Sequence, residues 1–527
     1  MKRAELLEST LRHGVYDLAV VGGGATGLGV ALDAALRGFS VVLLESHDFA
    51  GGTSSRSTKL LHGGVRYLAQ GNLALVREAL AERATVLRIA PHLAQPLPFV
   101  MPSYKWWQTP FYGIGLKLYD LLAGSAGLGR TEFLSRAQTL QALPGVNPDG
   151  LRGGVKYWDG QFDDARLALA LALSAEAAGA RVLNYAEVTA VRQLAGGDSP
   201  MSSLDMLDRR GGSRLQLQAR CVVNATGVWV DALRDHTQPA ATRGAPSRMV
   251  SPSQGVHVVV DRDFMPGGHA LLVPKTRDGR VLFAVPWLGK LVLGTTDTPR
   301  RDLPREPDAF AEELDFILSE ASQALSRPVR REDIKSLWVG LRPLVAAPAA
   351  AEGGTKVLSR EHTIVVDANG LVTVTGGKWT TYRAMAEDVL ERCFASQLLP
   401  PRAGGHSAGH VLKGAALASP ATPLHAAPGL HLYGSEAKQV NDCPGKDHLL
   451  GAGLTEAMVR YAARFEYAQT VEDVLARRSR ILFLDAAEAA QMAPAVADIL
   501  QQELGADPAL QPFLDLCTRY LPSPEAT

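Results

Sequence analysis

The chain has 527 residues, too many for one hydrophobic core, and its 46% apolar and 20% charged content supplies packed cores rather than a disordered polymer. Lys plus Arg equals Asp plus Glu at 54 each, so no overall field recruits nucleic acid or an acidic surface. Cys221, Cys393, Cys443 and Cys517 form no CxxC pair and have no histidine at metal-ligand spacing; this excludes a zinc motif, a thioredoxin-like motif or a disulfide scaffold and predicts reduced, buried thiols.

The opening MKRAELLESTLRHGVYD carries two glutamates where a secretory signal needs an apolar stretch, so export by that route is not expected. Residues 17–45 read as strand, glycine turn, helix and second strand: DLAVVG, GGATG, LGVALDAALRG and SVVLLE, with Gly38 closing the helix. The stretch after Glu45 is polar and rich in Ser, Thr and Gly until a helix resumes near Asn72. KWWQTPFYGIGLKLYDLLAG, 105–124, is an aromatic-rich apolar helix that either lies in a headgroup layer or is buried between domains. The longest apolar helical run, Leu167 to Ala175, stops at Glu176, well short of the roughly 20 residues a membrane span needs. RLALALALSAEAAGARVLNYAEVTAV alternates helix and strand, and ARCVVNATGVWVDAL runs from strand into helix.

Between about Gly244 and Pro343 the texture changes to short strands between turns, HVVV, HALLVPK, RVLFAVPW and KLVLGTTD, which predicts an antiparallel sheet. LVTVTGGKWTTYRAMAEDVLERC then returns to strand, Gly-Gly and helix. Residues 397–429 have the composition of a linker, and a helical C-terminal unit follows.

Gly22, Gly24 and Gly27 make a G-x-G-x-x-G turn: tight turning, backbone approach to a pyrophosphate, and close helix–strand packing. The following helix N-terminus offers unpaired N–H groups to the phosphates, and Glu45 ends the second strand where it can accept from a ribose diol. FAD is favoured over NAD by VVNATG at Val222–Gly227 and by the late Gly376–Gly377 turn opening a helix near Thr380. A flavin needs a second helix N-terminus for the negative charge on its pyrimidine edge, and NAD enzymes lack this late return.

TSSRSTKLLHGGVRYL from Thr53 to Leu68 resembles the FAD-dependent sn-glycerol-3-phosphate dehydrogenases of the aerobic, quinone-linked type. The resemblance continues through DDARL (Asp163–Leu167), VNATGVWVD, GTTDT at Gly294, VGLRPL at Val339 and GGKWTTYRAMAED at Gly376, and reaches ARFEYAQTVEDVLARRSRILFLDA. It covers nearly the whole chain except the linker. It implies an α/β fold in which a Rossmann-like FAD-binding domain (1–95, 150–243 and 344–396) is interleaved with an antiparallel-sheet substrate domain (96–149 and 244–343). A linker (397–429) and a helical cap domain (430–527) complete the expectation.

The activity implied is oxidation of glycerol 3-phosphate to dihydroxyacetone phosphate, with electrons passing from FAD to membrane quinone. The resemblance places Arg66, Tyr67, Arg360 and Lys378 around the substrate, as a phosphate dianion requires. His257 and Arg342 fall near the carbon being oxidised, His257 as candidate base and Arg342 as stabiliser of the alkoxide. Thr53, Ser54, Ser55, Lys59, Val188, Gly227, Gly377 and Thr380 join the glycine turn and Glu45 as expected cofactor residues.

Each has a plain structural alternative: arginines pair in salt bridges, Arg360 can pair with Glu361, and His257 fits a packed core. The resemblance further implies a homodimer held peripherally on the inner face of the cytoplasmic membrane, without the calcium loops of some mitochondrial members. A weak attraction to anionic lipid is expected, since no basic cluster adjoins 105–124. A glycerol-3-phosphate oxidase using oxygen and a non-catalytic flavin-binding redox sensor are the alternatives.

Overall fold

The computed structural model describes residues 3–64, 72–194, 201–237, 248–346, 362–416 and 420–522. Two sheets carry the architecture. In the first, Arg181–Leu183, Val41–Leu44, Val15–Val21, Arg214–Asn224 and Leu371–Gly376 run parallel in that spatial order, and His362–Val366 closes one edge antiparallel. The buried runs VVLL and LAVV explain the parallel pairing, because such strands are covered on both faces. The Ala25–Leu36, Asp164–Ala177 and Tyr382–Ala395 helices share one core cluster with this sheet, joining segments far apart in sequence.

The second sheet is antiparallel except where Ala270–Val273 lies parallel to Ala94–Ser103. Its Val250–Asp261 strand lies between Lys290–Gly294 and Ser336–Val345, so His257 sits opposite Gly294 on one side and Trp338 on the other. Two stretches of the expected FAD-binding segments pair in this second sheet. Gly153–Phe162, expected to open the second FAD-domain segment, pairs over its whole length with Ala94–Ser103 in the second sheet. Leu60–Leu61 joins the same strand, so the early chain also crosses into this sheet. An apolar strand carries no label for which sheet receives it; pairing decides.

In the described part of the expected linker, 397–416 and 420–429, Leu399, Leu412, Ala415 and Leu424 are buried, and the Leu424 carbonyl accepts from the Leu288 N–H at 2.8 Å. Proline removes a backbone donor and glycine loosens the backbone, but neither prevents the intervening side chains from packing. Beyond it, Glu456–Phe465, Ala486–Leu504 and Leu510–Arg519 form the helical unit, with a π-helical turn at Asp473–Arg478 pressed against the first domain. All four cysteines are unpaired and buried.

Candidate active site

Strand Val15–Val21 delivers the chain into the glycine turn. Gly22 has φ +113°, and a Cβ there would lie 2.5 Å from the Ala225 carbonyl oxygen. A Cβ on Gly27 would lie 1.9 Å from the Gly22 carbonyl oxygen, so Gly27 permits the turn to close on its helix rather than lining the cavity. Gly24 caps the Ala25–Leu36 helix, whose first-turn N–H groups lack intrahelical partners. Glu45 is fixed at the next strand end: it accepts from the Gly23 N–H at 2.7 Å, the His47 N–H at 2.9 Å and the Ser46 hydroxyl at 3.0 Å. A carboxylate offers about four acceptor positions, so a further donor can still reach it.

From this turn a cavity of about 740 Å³ runs to the second sheet. That volume falls within the 300–1,000 Å³ or so of cofactor and ligand sites. Gly22, Gly24 and Glu45 line its first end, Thr53, Ser54, Val188 and Gly227 its walls, and Gly377, Lys378 and Thr380 the late return. Gly376 and Gly377 have φ +81° and +73° and lead through Trp379–Thr381 into the Tyr382–Ala395 helix, so a second helix start does face the same space. A glycine cradle with no room for a Cβ and two helix N-termini on one elongated cavity fit FAD.

His257 and Arg342 meet at the second-sheet end of the cavity. His257 is 2% exposed, stacks on Trp338 with centroids 5.3 Å apart, and places Nε2 2.9 Å from the Thr58 hydroxyl. Burial, Lys59 and Arg342 together hold its pKa well below the ordinary histidine value, so the ring is neutral. Arg342 is held in a fixed fork: Nη1 donates to the Gln254 carbonyl and to Asp297 at 3.2 Å, and Nη2 to the Thr296 carbonyl at 2.9 Å.

Two expected cofactor residues turn away. Ser55 is buried outside the cavity lining, its hydroxyl donating to the Gly52 carbonyl. Lys59 has φ +64°, and its fully buried ammonium donates to Asp164 at 2.8 Å and to the Ser55 carbonyl at 2.7 Å. Burial, with help from Arg480, pulls Lys59 down to about 7 against the opposing pull of Asp164. Arg66, Tyr67 and Arg360 lie outside the described residues.

The sequence reading missed Thr58, the hydroxyl on His257, and the Arg305–Trp229 pair in the cavity wall, where the guanidinium lies 5.1 Å above the indole and reaches the Ser46 hydroxyl. Trp229 was visible in VNATGVWVD, but nothing local ties it to Arg305.

A dinucleotide turn opening onto a cavity that ends at a neutral histidine and a fixed arginine defines a flavin-dependent oxidoreductase. Residues 17–387 match the family model "FAD dependent oxidoreductase", and 381–511 match "C-terminal domain of alpha-glycerophosphate oxidase". The mitochondrial glycerol-3-phosphate dehydrogenase of Bos taurus is 40% identical over 526 residues, covering 93% of this chain and 71% of that protein. The Schizosaccharomyces pombe counterpart is 37% identical over 567 residues, covering 96% and 87%. The structure of the Bacillus halodurans glycerol-3-phosphate dehydrogenase complexed with FAD superposes with a TM-score of 0.76 at 28% identity, covering 99% of this chain and 98% of that one. The chain belongs to the FAD-dependent glycerol-3-phosphate dehydrogenases.

Proposed function

We propose that the protein oxidises sn-glycerol 3-phosphate to dihydroxyacetone phosphate at the His257–Arg342 end of the cavity and passes the electrons to a membrane quinone. The carrying observation is that one continuous cavity joins the glycine turn to these two side chains. Bound FAD supplies the two-electron acceptor.

The chain's own residues divide the remaining work. His257, neutral because it is buried beside two cations, takes the substrate hydroxyl proton at Nε2, directly or through the Thr58 hydroxyl. Arg342 places a fixed positive charge beside the developing alkoxide, its terminal nitrogens held by Gln254, Asp297, Thr295 and Thr296. Lys378, with Arg66, Tyr67 and Arg360, is assigned to the phosphate by the resemblance described above.

Attachment to the membrane surface is supported by the Gln108–Ala123 helix. It buries Gly113, Leu116, Tyr119 and Ala123, while Trp107, Phe111, Ile114, Leu118 and Leu121 form a solvent-facing stripe at helical spacing. No helix among the described residues is long and apolar enough to cross a membrane.

The test is anaerobic flavin reduction with glycerol 3-phosphate, glycerol and lactate, followed by reoxidation with a soluble quinone or oxygen. Bleaching by the phosphate alone, with faster recovery by quinone, is expected. Faster recovery by oxygen would make the protein an oxidase, and absence of bleaching would remove the substrate assignment.

A further inference from the structure

The helical C-terminal unit contributes nothing to the cavity lining: among the described residues none after Thr380 lines it. Yet one short stretch of that unit is driven into the wall from behind. Arg478 pairs with the fully buried Asp48 at 3.0 Å, and Arg477 pairs with the same carboxylate. Asp48 belongs to the loop whose next residues, Ala50 to Gly52, line the cavity. Arg480 reaches further. It is 0% exposed, has φ +68°, and its Nη2 donates to the Ser55 carbonyl at 2.8 Å and to Asp164 at 3.1 Å, with Asp163 3.5 Å from Nε.

The Ser55 carbonyl ends the Thr53–Ser55 turn, and that turn is where three parts of the site meet. The Thr53 hydroxyl donates to the Leu341 carbonyl at 2.6 Å, one residue before Arg342. The Ser54 hydroxyl accepts from the Ala25 N–H at 2.9 Å, at the start of the glycine-turn helix. The Ser54 carbonyl accepts from the Trp379 indole at 2.9 Å, at the late Gly-Gly return. Displacing this turn therefore shifts the strand carrying Arg342 relative to both helix starts.

We propose that Arg480 is a positioning residue for flavin reduction: from outside the cavity it fixes the Thr53–Ser55 turn and so sets Arg342 against the cofactor cradle. Asp164 completes the arrangement, accepting from Lys59, from Arg480 and from the Ser57 N–H and hydroxyl at 3.0 and 2.7 Å. The C-terminal unit thereby couples its docking to the geometry of chemistry it never touches. The inference rests on the proposed role of Arg342.

The experiment uses full-length, FAD-loaded protein with Arg480→Met, Arg480→Lys and, because Arg480→Met leaves buried acids short of a cation, the charge-balanced pair Arg480→Met with Asp163→Asn. Arg464→Gln, in an exposed pair with Glu503, controls for general weakening of the helical unit. Anaerobic reduction by glycerol 3-phosphate is expected to slow about tenfold to a hundredfold in the methionine variants, with the half-saturating concentration changed less than about threefold. Arg480→Lys, which can still reach Ser55, should recover part of the rate, and the visible circular dichroism of the bound flavin should change in Arg480→Met. Wild-type reduction rates in the loaded methionine variants would overturn the proposal. If glycerol 3-phosphate fails to bleach even the wild type, the substrate assignment falls, but the dichroism still decides Arg480: unchanged bands refute it.

Discussion

Replacing Phe111, Ile114 and Leu121 together by serine tests the membrane reading most directly. These side chains are 66%, 70% and 76% exposed, so their removal opens no cavity in the core. Burying one such side chain completely is worth about 1.5–3 kcal/mol, and scaling by the exposed share leaves about 1–2 kcal/mol for each on entering the headgroup layer. The triple substitution thus removes about 3–6 kcal/mol of partition energy, a loss of about a hundredfold to ten-thousandfold in the vesicle-binding constant. Sedimentation with uncharged phosphatidylcholine vesicles measures it, with reduction by glycerol 3-phosphate in detergent-free buffer expected to stay at the wild-type rate. Wild-type binding should change little with salt, because the stripe is apolar. Unchanged vesicle binding by the triple variant would refute the reasoning and make this stripe a surface for something other than lipid.

Gly27→Ala forces a Cβ to within 1.9 Å of the Gly22 carbonyl, a backbone atom that cannot swing aside. The protein should lose visible flavin absorbance on purification; full flavin content would mean that the turn tolerates opening. His257→Gln should slow flavin reduction by about a hundredfold or more, the usual share of a general base, and an unchanged rate would remove His257 from that role. In the wild type the depressed pKa should leave reduction free of a histidine limb near neutrality.

The same depression sets an acid limit on stability. His92 is 3% exposed with its pKa lowered to about 3, chiefly by burial, and His257 also resists protonation. Below about 6.5 the unfolded chain takes protons that both folded rings refuse, so at about pH 5.5 each costs about 1.4 kcal/mol of stability and the pair about 3. Thermal unfolding of wild type and His92→Asn across this range checks the sign: the variant should lose a smaller share of its stability on acidification.

The glycine turn, the strand before it and the acid at the end of the next strand were legible because each depends on residues adjacent in sequence, and the structure places Gly22, Gly24 and Glu45 on one cavity. The second helix start at Gly377 was legible for the same local reason. Ser55 and Lys59 lie outside the cavity lining, and their partners were not legible, because Asp164 and Arg480, which hold the Lys59 ammonium and the Ser55 carbonyl, are far along the chain. The pairing of Gly153–Phe162 with Ala94–Ser103 was not legible, because alternation and apolarity fix a strand's faces without naming its neighbour.

The sequence by itself determined the nucleotide turn, the alternation of parallel and antiparallel regions and the family, since these are written in short-range spacing and in strings such as GLRPL and GGKWTTYR. Only the tertiary structure decided which face of the 105–124 helix meets solvent, because a helix with apolar residues on two sides fits burial and lipid contact equally until its neighbours are placed. It alone brought Arg480 to Ser55 across 425 residues. A buried guanidinium of this kind is held by partners that offset its desolvation, here the Ser55 carbonyl and Asp164, and no local pattern encodes which partners those are.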